Sequence, residues 1–306
     1  MISRHSYHGG VWVDLEQPGD EEMASVVKEF SIGKRIEQEI VSPNPVPLVA
    51  ADDSAVLVIL HFPTPGTEDG DTGNQEIDFI VGEHFIITVR YEVVAPLYHL
   101  QKLLAAQELV SGKDPISTDI LLEVLFAHLY ASVRDHTNHA AARLEHVERE
   151  MFNGHENSTV RSISNINREF LHMEAALANH EEPAERFLHV LTSRGFFGET
   201  FPERAERILA ERNQVARLLK THRAVAAEMR ETNTAILGAR QNEIMKTLTV
   251  ITFGVLPLEL VALVFGMHLQ GTPFEQNPDS FWIILGIMFA IALTMLLVFA
   301  KKRWIF

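Results

Sequence analysis

The sequence predicts an α/β amino-terminal domain, long charged helices after it, and a two-helix transmembrane hairpin at the carboxyl end. Three observations carry this prediction. Two apolar stretches, Leu248–Leu269 and Phe281–Ala300, are 22 and 20 residues long and hold one charged residue between them, Glu259. About 20 helical residues at ~1.5 Å each cross a hydrocarbon core of ~30 Å. Between Pro202 and Pro257 there is no proline, so one charged helix can run unbroken into the first apolar stretch. Residues 11–100, in contrast, carry short β-rich runs separated by turn signals. The competing reading of the apolar pair, a buried hairpin in a large soluble core, needs charge-free runs of a length such cores rarely contain.

Taken in order, "GVWVDL" predicts a short strand and "PGDEEMASVVKEF" a helix with proline and acidic residues at its start. "AVLVILHF" and "HFIITVRY" predict two more strands, with the acidic stretch "PTPGTEDGDTGNQE" between them. That stretch superficially resembles a calcium loop. However, Gly70 and Gly73 are misplaced and the twelfth position from Asp69 is Ile80, so it reads as a solvated loop. From Pro115 onward 3.6-residue periodicity predicts helices over Ile116–Met151 and Val160–His180, separated by "NGHENS". Pro183 opens a further short helix that ends near Gly195. Asp135 and His139, four apart among His136 and His146, could share a metal on one helical face or simply be solvated.

The next helix, from near Glu203 to Phe265, would be about 63 residues and ~95 Å long. Its stripe of Ile208, Val215, Leu218, Val225, Met229 and Ile236, with His222 and Thr232 filling gaps, suits packing in a helical bundle. The expected division is therefore an α/β domain at 1–114, a helical region at 115–200 and a stem helix continuing into the first span at 201–269. An external loop at 270–280, a second span at 281–300 and a basic tail at 301–306 complete it.

Charge is distributed unevenly. The first 245 residues carry 22 Lys and Arg against 38 Asp and Glu, while the remainder has four basic and three acidic residues. An acidic surface of this kind argues against nucleic acid and favours cationic partners. The chain has no cysteine, which removes disulfides, thiolate nucleophiles and Cys-rich zinc sites. The start "MISRHSYHGGVWVDLEQPGD" contains no run of signal-peptide length, and "KKRW" follows the second span directly. With Arg240 and Lys246 before the first span and only acidic charge in the connecting loop, both termini are predicted to face the cytoplasm of a bacterial inner membrane.

One helical face can be followed from the stem into the membrane: Glu231, Ala235, Gly238, Asn242, Met245, Thr249, Thr252, Leu256, Glu259, Leu263 and Gly266. Successive gaps of four and three keep these residues on one side. A carboxylate near mid-bilayer costs ~2.5–3.5 kcal/mol on insertion scales, so this face must meet water or another helix. Two readings follow: a water-filled path between several copies of the chain, with the second span outside, or a plain anchor in which Glu259 bonds to a neighbouring helix.

"NEIMKTLTVITFGVLPLELVALVFGM", an outer loop, a second span and "KKRW" together resemble the carboxyl-terminal signature of the CorA superfamily of divalent cation channels and transporters. Asn242, Met245, Leu248, Thr249, Pro257, Gly266 and Met267 match its pattern in order and spacing. "GVWVDLEQP" and "HFIITVRY" resemble its amino-terminal domain more weakly. The resemblance implies a funnel-shaped homopentamer in a lipid bilayer with the long helices lining the pore. In that reading Asn242 is a polar pore ring, Met245 an apolar constriction and Glu231 an acidic ring near the cytoplasmic mouth. Transported or regulatory ions would be Zn2+, Mg2+ or Co2+, with no prosthetic group.

Two departures from the family pattern bear on the ion. His268 stands where the family's Gly-Met-Asn has its asparagine, and Glu259 stands where magnesium members usually carry a small hydroxyl side chain. The loop "QGTPFEQNPDSFW" is more similar to that of the zinc-transporting ZntB branch. Imidazole suits zinc, whereas magnesium prefers oxygen ligands. Asn242, Glu259 and His268 are thus the candidate metal-contacting residues, and Gly266, Met267 and His268 the outer-mouth selectivity motif. Five convergent Glu259 carboxylates would repel one another unless protons or a cation sat among them. The other classes are a membrane-anchored scaffold of the same shape with little flux, and a hydrolase. The latter lacks a nucleophile elbow, a P-loop and a His-Glu-x-x-His.

Overall fold

The computed structural model describes residues 1–7, 9–64, 73–110, 116–266 and 279–301. Six strands within its first 90 residues form one sheet. The strands are β1 (Ile2–Tyr7), β2 (Gly10–Glu16), β3 (Leu48–Ala51), β4 (Val56–Pro63), β5 (Asn74–Val81) and β6 (Phe85–Arg90). They lie in the order β1-β2-β6-β5-β4-β3. β2 and β6 pair in parallel and the other neighbours are antiparallel.

Both faces of the sheet are covered, which is why β4 reads as an unbroken apolar run from Val56 to Leu60. On one face Val13, Leu15, Leu57, Ile59, Ile80, Ile87 and Val89 pack beneath α1 (Asp20–Glu29) and α2 (Lys34–Glu39), which supply Val26, Val27 and Ile36. On the other, Phe79 stacks on Phe126 at 4.9 Å and Phe62 lies 5.7 Å from Tyr130, both aromatic partners on α4 (Thr118–Glu150). The three acidic residues opening α1 favour the positive end of its dipole, and Glu22 reaches back to the Gly19 N–H at 3.2 Å.

Burial of charge on the sheet is fully compensated at Asp14. Its carboxylate accepts from Arg90 Nη2 at 3.0 Å, Gln101 Nε2 at 2.7 Å and Thr88 Oγ1 at 2.6 Å, and Trp12 Nε1 donates to Thr88 at 3.0 Å. Gln101 lies on α3 (Ala95–Val110), so one carboxylate ties the parallel strand pair to a helix. Such a network is tolerable because each charged member has a partner.

The helical region continues through α4, a π-helical turn at Met151–His155 and α5 (Glu156–Asn179). The expected break falls at Gly154, whose φ of 98° only glycine adopts cheaply. α6 (Glu181–Arg194) ends on Gly195 at φ 68°, a left-handed terminator where the sequence predicts one. α7 (Phe201–Gly266) and α8 (Ser280–Lys301) follow.

Several expectations need adjusting. β1, β3, β5, α2 and α3 were not anticipated, and Asn74, Gln75 and Glu76 belong to β5 rather than to a solvated loop. Asp69 and Gly70, the core of the calcium-loop comparison, lie outside the described residues. The buried seam of α7 reads Phe201, Ala205, Ile208, Arg212, Val215, Leu219, Ala226 and Met229, so after Val215 it runs one residue beyond the predicted Leu218 and Val225. Val225 is 45% exposed. Arg212, missing from the predicted stripe, also lies on the buried side: its guanidinium donates to the Leu177 carbonyl at 2.8 Å and to Glu181 at 2.9 Å. His222, as expected, fills a gap in the seam and stacks on Phe170 at 5.9 Å.

The chain divides into two compact units, Met1–Arg230 and Glu231–Phe306.

Candidate functional site

The second unit contains the rest of α7 and all of α8. Alanine, leucine, methionine, glutamate and glutamine dominate α7 near its residue 240, all good helix formers. Further along, threonines would weaken a soluble helix. Here their hydroxyls bond backward within the helix: Thr247 to the Glu243 carbonyl at 3.0 Å, Thr249 to Met245 at 2.7 Å and Thr252 to Leu248 at 2.8 Å. This is how a hydroxyl is satisfied where water is scarce. Pro257 sits inside α7 and has no N–H to give the Phe253 carbonyl, which interrupts the ladder two residues before Glu259.

Both α7 and α8 contain a segment long and apolar enough to cross a membrane. Their side chains are exposed: Phe253 58%, Leu260 64%, Phe281 68% and Phe289 70%. This excludes the buried-hairpin reading, because a soluble core would cover them. Lipid or further helices must do so instead.

The predicted stripe is present as one face of α7. Glu231, Asn242, Met245, Thr252, Leu256, Glu259, Leu263 and Gly266 are exposed in the protomer, and Thr249 is half-buried. Among the described residues Glu259 is the one charged side chain between Leu248 and Gly266. Met267, His268 and the loop through residue 278 lie outside the described residues, as do Lys302 and Arg303.

The cytoplasmic metal-pair expectation finds no support. Asp135 and His139 are both exposed on α4, and no group of three or more His, Cys, Asp or Glu side chains suited to a metal occurs among the described residues. Their neighbour His136 is engaged instead with Glu169 of α5, at 3.0 Å, and Arg143 also pairs with Glu169. Burial opposes ionisation of Glu169, but His136 and Arg143 hold its carboxyl below the usual range. These are ties between α4 and α5, not an ion site.

Against this geometry, the family model described as "CorA-like Mg2+ transporter protein" matches residues 7–303. The chain belongs to the CorA family. The cobalt/magnesium transport protein CorA of Methanocaldococcus jannaschii is 22% identical over 306 residues, covering 96% of this chain and 91% of its own. The solved structure of the complete CorA magnesium transporter from the same organism superposes with a TM-score of 0.80 at 21% identity, over 99% of this chain and 94% of that one. The ZntB cytoplasmic domain from Vibrio parahaemolyticus superposes less closely, with a TM-score of 0.55 at 12% identity over 75% of this chain and 88% of that one. The CorA likeness accounts for the whole architecture: an α/β domain, a long helix and two carboxyl-terminal apolar helices.

One set of titratable groups was not found from the sequence. His61, Glu76 and Asp78 lie on neighbouring strands of the sheet, with His61 and Glu76 directly paired in register. Glu76 looked like the end of an acidic loop. The period-two pattern of Glu76, Asp78 and Ile80 was the available signal.

Proposed function

We propose that this CorA-family chain assembles as a homopentamer in a bacterial plasma membrane, both termini cytoplasmic, and carries divalent metal cations through a central path lined by α7. The observation that carries the reading is Glu259, a carboxylate on one continuous face of an otherwise apolar helix whose side chains are exposed in the protomer. Intramembrane carboxylates mark ion pathways by default, since lipid cannot solvate them. In the pentamer Asn242, Met245, Thr249, Thr252, Leu256, Glu259 and Leu263 line the path. Glu231 forms an acidic ring at its cytoplasmic mouth and Gly266, Met267 and His268 its outer mouth. Asn242, Glu259 and His268 are the positions that meet the metal.

The relatives are named for cobalt and magnesium, and these ions are the first to test. His268 adds the finer proposal that Zn2+ is slightly favoured, because imidazole is a better zinc than magnesium ligand. The decisive experiment is uptake into proteoliposomes with zinc, cobalt, nickel and magnesium in competition. Glu259→Gln is expected to slow uptake and change its pH dependence. Unchanged uptake and pH dependence would remove Glu259 from the path, and vesicles that stay metal-tight with the native chain would leave a membrane-anchored scaffold instead. His268→Ala is expected to reduce zinc uptake relative to magnesium, and an unaltered preference would end the zinc proposal.

A further inference from the structure

Asp78 is fully buried, and neither of its carboxyl oxygens receives a hydrogen bond from any described donor. Its register neighbours are Ile59 on β4 and Val89 on β6. The side chains of α1 and α2 that cover this face, Val26, Val27 and Ile36, are apolar. An ionised carboxylate in such surroundings would lack the donors that make buried charge tolerable. A neutral carboxyl needs only one acceptor for its O–H. Glu76 stands two residues back on the same face of β5 with its side chain only 8% exposed, and is placed to be that acceptor.

Glu76 in turn is the hook for the segment 40–47, which links α2 to β3. Both of its carboxylate oxygens accept from the Asn44 N–H, at 2.9 and 2.8 Å. His61 Nε2 lies 2.8 Å from the Asn44 carbonyl oxygen and 3.6 Å from Glu76. Asn44 Nδ2 donates to the Glu39 carbonyl at 2.6 Å, and the Tyr91 hydroxyl reaches the Ile40 carbonyl at 3.4 Å. Ile40, at the start of the segment, is anchored in the core at 1% exposure, and few other described contacts hold residues 41–47. Pro43, Pro45 and Pro47 have no N–H to contribute, and Val41 and Val46 are 68% and 61% exposed.

We propose that Asp78 and Glu76 share one proton as a buried carboxyl pair that latches the segment 41–47 onto the sheet, and that ionisation of the pair releases it. In the closed state the Asp78 O–H donates to Glu76, which keeps its charge to hold the Asn44 amide. Loss of that proton to solvent leaves two carboxylates adjacent in an apolar setting, and hydration through opening of the segment relieves the repulsion. The groups facing the pair act consistently. Burial, then Glu76, raises Asp78 well above the usual carboxylate range. Burial, then Asp78 and Glu76, raises the Tyr91 phenol, and the neighbouring Glu76 carboxylate raises His61. Each group binds its proton more tightly in the folded state, so the closed latch is favoured at low pH and weakens as pH rises through the folded values.

Hydrogen exchange of the full chain in detergent, corrected for intrinsic rates, tests this at the Asn44 amide across about pH 5 to about 9. Protection should decline with rising pH, by up to about tenfold per pH unit once the shared proton is being lost. Asp78→Asn, whose amide can donate to Glu76 without titrating, should remove most of that decline. Flat protection in the native chain, or the same slope in Asp78→Asn, would overturn the proposal. Should Asp78→Asn fail to fold, infrared spectra of the native chain with isotope-labelled aspartate carboxyls decide. A protonated-acid carbonyl band at neutral pH that disappears together with protection supports the latch, and its absence overturns it.

Discussion

The two compact units solve the same problem, where to put polar groups, in opposite ways. In Met1–Arg230 charge goes inside and is matched: Asp14 with Arg90, Arg212 with Glu181 and Glu169 with His136 and Arg143. In Glu231–Phe306 apolar side chains cover the outside, and the membrane-length segments hold a single carboxylate, Glu259. The first unit matches these buried charges within one chain, Asp78 being the exception. The second is incomplete alone, since its surface suits a medium and neighbours that a protomer does not contain. α7 contributes to both units, so the two regimes can be compared on one helix.

The largest effect should come from breaking a matched pair inside the first unit. Arg90→Ala leaves Asp14 buried without its cation and is expected to cost about 3–5 kcal/mol. Urea unfolding followed through Trp12, which is bonded into the same network, measures it. A loss below about 1 kcal/mol would mean that this region tolerates unmatched charge and that the contrast is false.

Leu219 and Leu256 give a sharper test on α7 itself. Leu219 is fully buried and Leu256 is 55% exposed. Leu219→Ala should lower unfolding stability by about 2–5 kcal/mol, whereas Leu256→Ala should leave the unfolding of the Met1–Arg230 unit unchanged. Equal losses would show that one chain already buries Leu256.

The smallest expected effect near neutral pH is an acid sensitivity that grows as pH falls. His180 is fully buried between Phe62 and Tyr130, its Nε2–H donating to the His61 carbonyl at 3.0 Å, and burial pushes its imidazole down to about 4. Between its ordinary value near 6.5 and about 4, the unfolded chain binds the proton and the folded chain does not. Stability from this group is therefore complete above about 6.5 and falls as pH drops through that window. Thermal midpoints of the native chain and His180→Phe should converge toward about pH 4 if this holds. Parallel pH curves would remove His180 from the acid response.

The membrane helices were legible because their physics is one-dimensional: length and absence of charge suffice. The strands β2, β4 and β6 were legible as apolar runs. β5 was not, because its first three residues are Asn, Gln and Glu and its centre contains Asp78, so a buried strand looked like the end of a loop. One member of the α7 seam was missed for a related reason. Arg212 is buried by what it touches on α5 and α6, and no local pattern in the sequence reveals those partners. The face carrying Glu259 could be listed from spacing alone, but which residues another copy of the chain would cover could not.

The threonines of α7 have one more implication. Thr249 and Thr252 each give their single hydroxyl hydrogen to their own helix. What they turn outward is therefore oxygen lone pairs alone. Within the apolar segment from Leu248 to Gly266, these two hydroxyls and an ionised Glu259 thus present electron donors with no hydrogen to offer, attractive to a positive ion and inhospitable to an anion.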